Sequence, residues 1–259
     1  MVNKEKPLIQ SLERALDIFD LLADEKAPLR SGEIAARLGL KSSTLNNMLR
    51  TLYRRGYLAQ NEDGLYRLGA RCYRLSRVCD RWEILRKLAL PSMRELSEAT
   101  GMGVFLGADG DGILTCVAQV DGKSNVLAVE RQSWEKQFHS TAAGKVLLAH
   151  MPESDRNRIL SGGLQAFTSH TLADRKSLKE NLSLILEEGY ALSREESVEE
   201  VAALGVPVTD NGICVAALGQ SFPSYYLDSG KVDVSSHVAL LRKHASLIAA
   251  SVAAERARG

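Results

Sequence analysis

The 259-residue chain contains little cysteine, carries almost no net charge and lacks a long hydrophobic run. Its four cysteines are scattered without a CxxC pair, so we expect buried structural thiols, no metal site and no cofactor. No apolar run approaches the ~18 residues that a membrane span needs, and the N-terminal residues lack the apolar core of a signal peptide. We therefore expect a cytoplasmic protein without a membrane partner.

The segment from Pro28 to Leu68 has the pattern of two short helices followed by a hairpin. Apolar residues three or four positions apart predict both helices, with Gly39 ending the first and Ser42 or Ser43 capping the second. Two short strands then flank an Asp63-Gly64 turn. This order predicts a winged helix-turn-helix, whose second helix enters a DNA major groove.

The outer face of that second helix carries short polar or basic side chains, which can meet base edges and phosphates. Between Lys26 and Lys87 the chain has 14 Lys and Arg against 5 Asp and Glu, although its total charge is only +1. Such a basic block predicts phosphate contacts, whereas a helix pair that served protein contacts would expose apolar residues. With Arg67 from the hairpin, the predicted DNA-contacting residues are Lys41, Ser42, Ser43, Thr44, Asn46, Asn47, Arg50 and Arg67.

A chain of this length and of ordinary globular composition needs a second domain beyond the winged helix. We divide it into a DNA-binding domain over 1–70, a basic linker helix over 71–90 and a second domain over 91–259. Pro91 is predicted to open the next helix. An apolar stripe on the linker helix predicts a contact between two copies of the chain, through Leu75, Val78, Trp82 and Leu85.

The second domain alternates strands with helices, which predicts an α+β fold with long helices packed on one side of a sheet. Ser140 or Thr141 is predicted to cap a helix ending near Met151, and Thr171 to cap a helix that Gly189 ends. The predicted strands cover 103–108, 113–120, 124–130, 190–194, 203–209 and 213–219.

Two constellations that could carry chemistry have simpler explanations. The AAGKV segment lacks the first Gly and the Ser or Thr of a phosphate loop. The acidic residues Glu195, Glu196, Glu199 and Glu200 have no nucleophile or metal partner nearby, so we expect a solvated acidic face and no catalytic site. Trp134 is different, because it lies in a polar loop just before the AAGKV helix, where an aromatic ring can cover a ligand.

Several segments together resemble the IclR family of bacterial transcriptional regulators along nearly the whole chain. They are SLERALDIFDLL, KSSTLNNMLRTLYRRGYL, YRLGARCYRLS, HSTAAGKVLLA, TSHTL, EEGYALSREE and GVPVTDNGICVAALGQS, in that order. The resemblance implies a winged helix-turn-helix, a linker helix that pairs subunits, and a GAF-like effector domain with an antiparallel sheet and flanking helices. It implies homodimers, homotetramers on operator DNA, and a ligand-responsive regulator of a catabolic or transport operon rather than an enzyme.

The resemblance also implies where a small-molecule effector, expected to be a small organic acid, binds. The implied residues are Ala142, Ala143, Ser193, Val201, Ala203, Gly219 and Ser221. From the residues alone, small side chains at a helix start either leave room for an anion beside free N–H groups or simply let the helix pack on a sheet. The family usually has Gly where Glu200 stands and often Arg where Asn47 stands, so the pocket rim and the base contacts are expected to differ here. Asn46 and Asn47 suit adenine edges.

Overall fold

The computed structural model of the protein describes residues 8–25, 27–79, 82–122 and 134–257. The chain divides into two compact units, Met1–Arg81 and Trp82–Gly259. Within the described ranges, no helix is long and apolar enough to cross a membrane.

The first unit is a winged helix-turn-helix, as the sequence predicts. Gly39 has a φ of 61°, the left-handed conformation that ends the helix Ser31–Leu38 and turns the chain into the helix Ser42–Arg54. The two strands pair antiparallel with Leu58 opposite Leu68. The core of this unit includes four side chains with no exposed surface, Ile18, Ile34, Leu45 and Leu49. The elements are α1 Gln10–Asp24, α2 Ser31–Leu38, α3 Ser42–Arg54, β1 Leu58–Gln60, β2 Tyr66–Leu68 and α4 Ala70–Cys79.

Two helices begin differently from the prediction. The N-cap of α3 is Lys41, without a side-chain cap, so Ser42 and Ser43 lie inside the first turn. The N-cap of the helix Arg175–Glu188 is Asp174, whose Oδ1 accepts the N–H groups of Lys176 and Ser177. Asp174 takes this role because it lies directly before the helix. The Thr171 hydroxyl oxygen instead accepts the N–H groups of Phe167 and Thr168.

The second unit is built on a five-stranded antiparallel sheet, whose strands lie in the order β4 (Leu114–Val120), β3 (Gly103–Asp109), β7 (Ile213–Pro223), β6 (Val201–Asp210) and β5 (Ala191–Arg194). The predicted strand over 124–130 lies outside the described residues. Asn211 and Gly212, with φ of 49° and 79°, form the tight turn between β6 and β7. The elements are α5 Glu83–Thr100, β3 Gly103–Asp109, β4 Leu114–Val120, α6 Ala142–His150, α7 Glu153–Ile159, α8 Arg175–Glu188, β5 Ala191–Arg194, β6 Val201–Asp210, β7 Ile213–Pro223, α9 Tyr225–Asp228 and α10 Val234–Arg256.

Helices cover both faces of this sheet, so the prediction of helices on one side is wrong. On one face, α5 and α10 pack against residues such as Val104 and Leu204. On the other face, α6 and α8 pack near Phe105 and Ala217. Both faces are apolar because neighbouring residues along a strand, such as Val104 and Phe105, point in opposite directions and are both buried.

The predicted linker helix is divided between the two units. α4 ends at Cys79, and α5 begins at Glu83 and continues to Thr100 with Pro91 inside it. Pro91 does not open a new helix, because the buried side of α5 runs past it from Leu85 and Ala89 to Met93 and Leu96. Leu85 is therefore a core residue of the second unit and not part of a free stripe. Leu75 on α4 is 54% exposed, and the side chain of Val78 lies outside the described part.

The cysteine side chains differ in burial. Cys116 is exposed, so the expectation of a buried thiol is wrong there; it lies on β4, the outermost strand on that side of the sheet among the described residues. Cys72 and Cys214 are partly buried. Burial raises the pKa of the Cys214 thiol to about 12, which keeps it protonated. No group of three His, Cys, Asp or Glu side chains in the described ranges could hold a metal ion.

Candidate nucleic-acid interface and ligand cavity

The exposed face of α3 carries the residues that the sequence singles out for DNA contact. Leu45 and Leu49 face the core and have no exposed surface. Thr44 is half-buried, whereas Lys41, Ser42, Ser43, Asn46, Asn47, Arg50 and, on the wing strand β2, Arg67 are exposed. The helix therefore presents hydroxyl, amide and cationic groups on one side, the kinds of group that bind base edges and phosphates.

The side chains of Asn47 and Arg50 are hydrogen-bonded to each other on this face. The Arg50 Nη2 donates a hydrogen bond to the Asn47 Oδ1 at 2.8 Å. The amide oxygen of Asn47 thereby orients the guanidinium, while its NH₂ group keeps its donor capacity. Asn46, also exposed, leaves its whole amide available to the solvent side of the helix. The α3 surface thus offers one oriented cation beside an amide that can pair with a base.

A cavity lies on the face of the sheet that α6 covers. Ser193 of β5 pairs with Ala203 of β6, which pairs with Ser221 of β7. Because paired residues in an antiparallel sheet point to the same side, these three side chains form one row. In the next row, Gly219 of β7 pairs with Phe105 of β3.

Glycines in the sheet let the start of α6 approach closely. A Cβ added at Gly107 would lie 2.8 Å from the Ala143 Cβ, and one added at Gly205 would lie 3.2 Å from the Ala142 carbonyl carbon. Thr141 caps α6, as predicted, with its Oγ1 accepting the N–H of Gly144 at 3.1 Å. The small residues therefore allow close helix-on-sheet packing and also leave space beside the helix start.

Six of the seven residues predicted for effector binding line this cavity: Ala142, Ala143, Ser193, Val201, Ala203 and Ser221. Gly219 does not line it. A Cβ at Gly219 would lie 2.2 Å from the Phe105 Cζ and 2.5 Å from the Leu204 carbonyl oxygen. Gly219 instead makes room for the Phe105 ring, and that ring lines the cavity.

Seven further residues of the described ranges line the cavity. The sequence drew attention to Trp134, whose ring meets Phe105 edge to face with centroids 5.5 Å apart. The others carry no local signal, because strand pairing and loop packing bring them together across long sequence separations. The additional lining residues are Val104, Phe105, Gln119, Trp134, Thr141, Ser197 and Val198.

The segment 195–200 between β5 and β6 forms part of the cavity wall. Glu195 and Glu200, at its two ends, have positive φ of 58° and 62°. The Glu195 N–H donates to the Val201 carbonyl at 2.7 Å, which closes the segment at its base. A left-handed conformation suits Gly, so the backbone at Glu200 agrees with the glycine usual in the resembled family.

A buried ion pair joins this segment to α6. The Lys145 Nζ, with no exposed surface, donates to the Glu196 Oε1 at 2.6 Å and to the Leu192 carbonyl at 2.8 Å. Burial lowers the pKa of Lys145 and raises the pKa of Glu196, although each partner's charge opposes the shift. The prediction of a solvated acidic face is therefore wrong for Glu196, because its carboxylate is buried in an ion pair with Lys145, 51 positions away.

Comparisons with known proteins agree along the chain. The IclR helix-turn-helix domain matches residues 11–62, and the bacterial transcriptional regulator IclR C-terminal domain matches residues 77–250. The regulator XynR of Escherichia coli is 36% identical over 231 residues, covering 87% of this chain and 91% of that protein. The glycerol operon regulatory protein of Streptomyces griseus is 32% identical over 253 residues, covering 96% and 98%.

Solved structures show the same fold. An IclR homologue from Microbacterium hydrocarbonoxydans, crystallised with 4-hydroxybenzoate, superposes with a TM-score of 0.78 at 23% identity, covering 94% of this chain and 99% of that one. The IclR protein of Thermotoga maritima has a TM-score of 0.70 at 25% identity, covering 94% and 99%. The relatives are named as transcriptional regulators and not as enzymes. With both domain matches in order, the chain belongs to the IclR family and is a DNA-binding transcriptional regulator with a C-terminal effector domain.

Proposed function

We propose that this regulator controls a catabolic or transport operon by binding a small organic acid in the cavity beside α6. The observation that carries the proposal is the convergence of six implied effector residues, from α6, β5, β6 and β7, on one cavity. Ligand sites of this kind combine an apolar wall with a few polar groups. We infer a cytoplasmic location from this action on operator DNA.

The start of α6 supports an anionic ligand. The backbone N–H groups of Ala142 and Ala143 belong to the first turn, where an α-helix leaves its amides unpaired, and neither donates to another described residue. The positive end of the helix dipole also favours an anion there. The described lining contains no charged side chain that would compete with or repel a carboxylate.

Filling the cavity tests this assignment. Ala143→Leu should abolish the thermal stabilisation that small carboxylates confer, because its larger side chain enters the space beside the α6 start. Ala239→Leu, at an exposed position of α10, is the matched control and should respond as the parent does. A ligand at ~100 times its dissociation constant adds ~2.7 kcal/mol of stability, which a thermal shift resolves. Parental ligand affinity in a folded Ala143→Leu variant would place the effector elsewhere.

We further propose that α3 and the wing hold operator DNA through the eight residues predicted above. Lys41→Ala and Arg50→Ala should each weaken binding to the protein's own promoter region and lower the salt slope by ~1. Asn46→Ala should also relax sequence preference, by ~1–3 kcal/mol for a lost base contact. Lys179→Ala, exposed on α8, is the control, because it lowers the net charge of the protein by the same amount as the test variants. Gel shifts across a salt series measure both effects, and parental affinity of the Lys41 and Arg50 variants would contradict the assignment.

The effector and the operator must be coupled. If a ligand loosens DNA binding tenfold, the DNA-bound protein must bind that ligand tenfold more weakly. Calorimetry with and without operator DNA measures this reciprocity. Equal ligand affinity with and without operator DNA would contradict the coupling.

We also propose that the protein forms homodimers or homotetramers. Exposed leucines in the first unit support self-association: Leu12 and Leu16 on α1 are 60% and 54% exposed, and Leu75 on α4 is 54% exposed. A two-fold dimer would space two α3 helices for successive half-sites of DNA. Leu75→Glu should weaken the dimer measured by light scattering, and an unchanged mass would exclude this part of α4 from the interface.

A further inference from the structure

Three hydroxyl groups of the cavity wall already donate their hydrogen bonds to oxygen atoms of the protein. The Ser193 Oγ donates to the Ser140 carbonyl at 2.7 Å. The Thr141 Oγ1 donates to the Gln137 carbonyl at 2.8 Å. The Ser197 Oγ donates to the Gln137 Oε1 at 2.5 Å. Because a hydroxyl has one proton, these oxygens offer only lone pairs to a molecule in the cavity.

This polarity restricts what the wall can bind. A second acceptor, such as a bare carboxylate or a carbonyl, placed against these oxygens leaves two acceptors facing each other without a proton between them. Ser193 is 5% exposed, so water cannot easily relieve such a mismatch. A ligand hydroxyl placed there donates its proton to the waiting oxygen. The Ser221 hydroxyl and the Gln119 amide, also in the lining, can still donate to a ligand, so the acceptor character is confined to Thr141, Ser193 and Ser197. This part of the wall therefore favours a ligand group that brings its own donor.

The remaining groups of the cavity suit other parts of the ligand. The apolar side, formed by Phe105 and Trp134, suits a hydrocarbon portion. The acidic group belongs beside Ala142 and Ala143, as in the function proposed above.

We propose that the effector is a hydroxy acid, whose hydroxyl donates to the acceptor wall of Thr141, Ser193 and Ser197, rather than a plain carboxylic acid. The inference rests on the proposed effector site and adds the chemical class of its ligand. It follows from the direction of three hydrogen bonds, each with a carbonyl-type oxygen as acceptor.

Matched acids that differ by one hydroxyl test the proposal on the full-length protein. The pairs are glycolate and acetate, lactate and propionate, 3-hydroxybutyrate and butyrate, and 4-hydroxybenzoate and benzoate. Calorimetry should show that, within the pair of fitting size, the hydroxy acid binds about threefold to tenfold more tightly, the gain from one net hydrogen bond.

The wall variants then locate the effect. The ligand hydroxyl has one proton, so at least one of Ser193→Ala and Ser197→Ala should reduce that ratio toward one by removing the oxygen that accepts it, while the plain acid keeps most of its affinity. Ser183→Ala is the control, since this exposed hydroxyl on α8 donates to its own helix at Lys179 and lies outside the lining. Circular dichroism on each variant verifies folding.

The outcomes separate the two proposals. Plain acids that bind as tightly as their hydroxy partners would overturn the hydroxy-acid inference and leave the organic-acid site in place. A hydroxyl preference that survives in both folded serine variants would also overturn it. If no acid of either kind binds, the organic-acid function itself fails, and the inference fails with it.

Discussion

The ion pair between Lys145 and Glu196 gives the sharpest prediction about stability. Lys145 has no exposed surface, and its ammonium is held by the Glu196 Oε1 at 2.6 Å and the Leu192 carbonyl at 2.8 Å. The Glu196 Oε2 is buried without a hydrogen-bond partner in the described part of the chain. The pair therefore has little access to water to compensate for the loss of either member.

Removing one partner should cost the second unit about 3–5 kcal/mol, the usual penalty for a buried charge without its counter-ion. Lys145→Met leaves the carboxylate, and Glu196→Leu leaves the ammonium. The shifted pKa values of both groups limit these costs, since either remaining group can lose its charge. The double variant removes both charges and replaces them with apolar groups, so we expect it to cost about 1–3 kcal/mol less than the two single changes added together.

Urea unfolding followed by tryptophan fluorescence measures the free energy of unfolding of the second unit, where the ion pair lies. The chain has two tryptophans, Trp82 and Trp134, and both belong to the second unit, so the signal ignores unfolding of the winged helix. The exposed pair of Arg158 and Asp155 is the matched control, and breaking it should cost less than about 1 kcal/mol. Additive single costs, or a Lys145→Met variant as stable as the parent, would refute the reasoning.

Three further changes should act through packing, protonation and backbone conformation. Gly219→Ala should destabilise the second unit by about 1–3 kcal/mol, because its Cβ meets the Phe105 ring and a backbone carbonyl, whereas Gly162→Ala, with open space around it, should change the urea midpoint little. Burial lowers the pKa of His139 below 6.5, so the unfolded chain takes up that proton first and stability that is present above pH 6.5 is lost on acidification; His139→Gln should lose less stability than the parent between pH 8 and pH 5, and an equal loss would contradict this. At Glu200, with a φ of 62°, Gly should give a higher unfolding free energy than Ala by about 1 kcal/mol, and an Ala variant of equal stability would show that the conformation carries no strain.

The sequence predicts the winged helix well because its signals are local. The spacing of Leu45 and Leu49 determines which face of α3 is buried, and the same spacing leaves Asn46, Asn47 and Arg50 outside. The turn residues Gly39 and Gly64 adopt the left-handed conformation that ends a helix or tightens a hairpin. Such features depend on residues a few positions apart, so a single chain reveals them.

The cavity depends on contacts that local patterns do not encode. The sequence and the family resemblance brought forward Ala142 and Ser193, but the sheet register decided that Phe105 lines the site and that Gly219 only makes room for it. Trp134 stood out because an aromatic ring in a polar loop just before α6 can cover a ligand, whereas Ser197 gave no such signal. Strand pairing joins these positions across many residues, so no local pattern reports them.

By itself, the sequence determined the order of elements, the polar surface of α3 and the family pattern, because propensity, periodicity and turn chemistry act over short separations. The tertiary structure alone decided that α5 runs through Pro91, that helices cover both faces of the sheet, and that Glu196 is buried against Lys145. Each of these outcomes is a balance between a local preference and the free energy of burial against distant partners. Where the distant partner contributes more, as Lys145 does for Glu196, the local pattern gives the wrong answer.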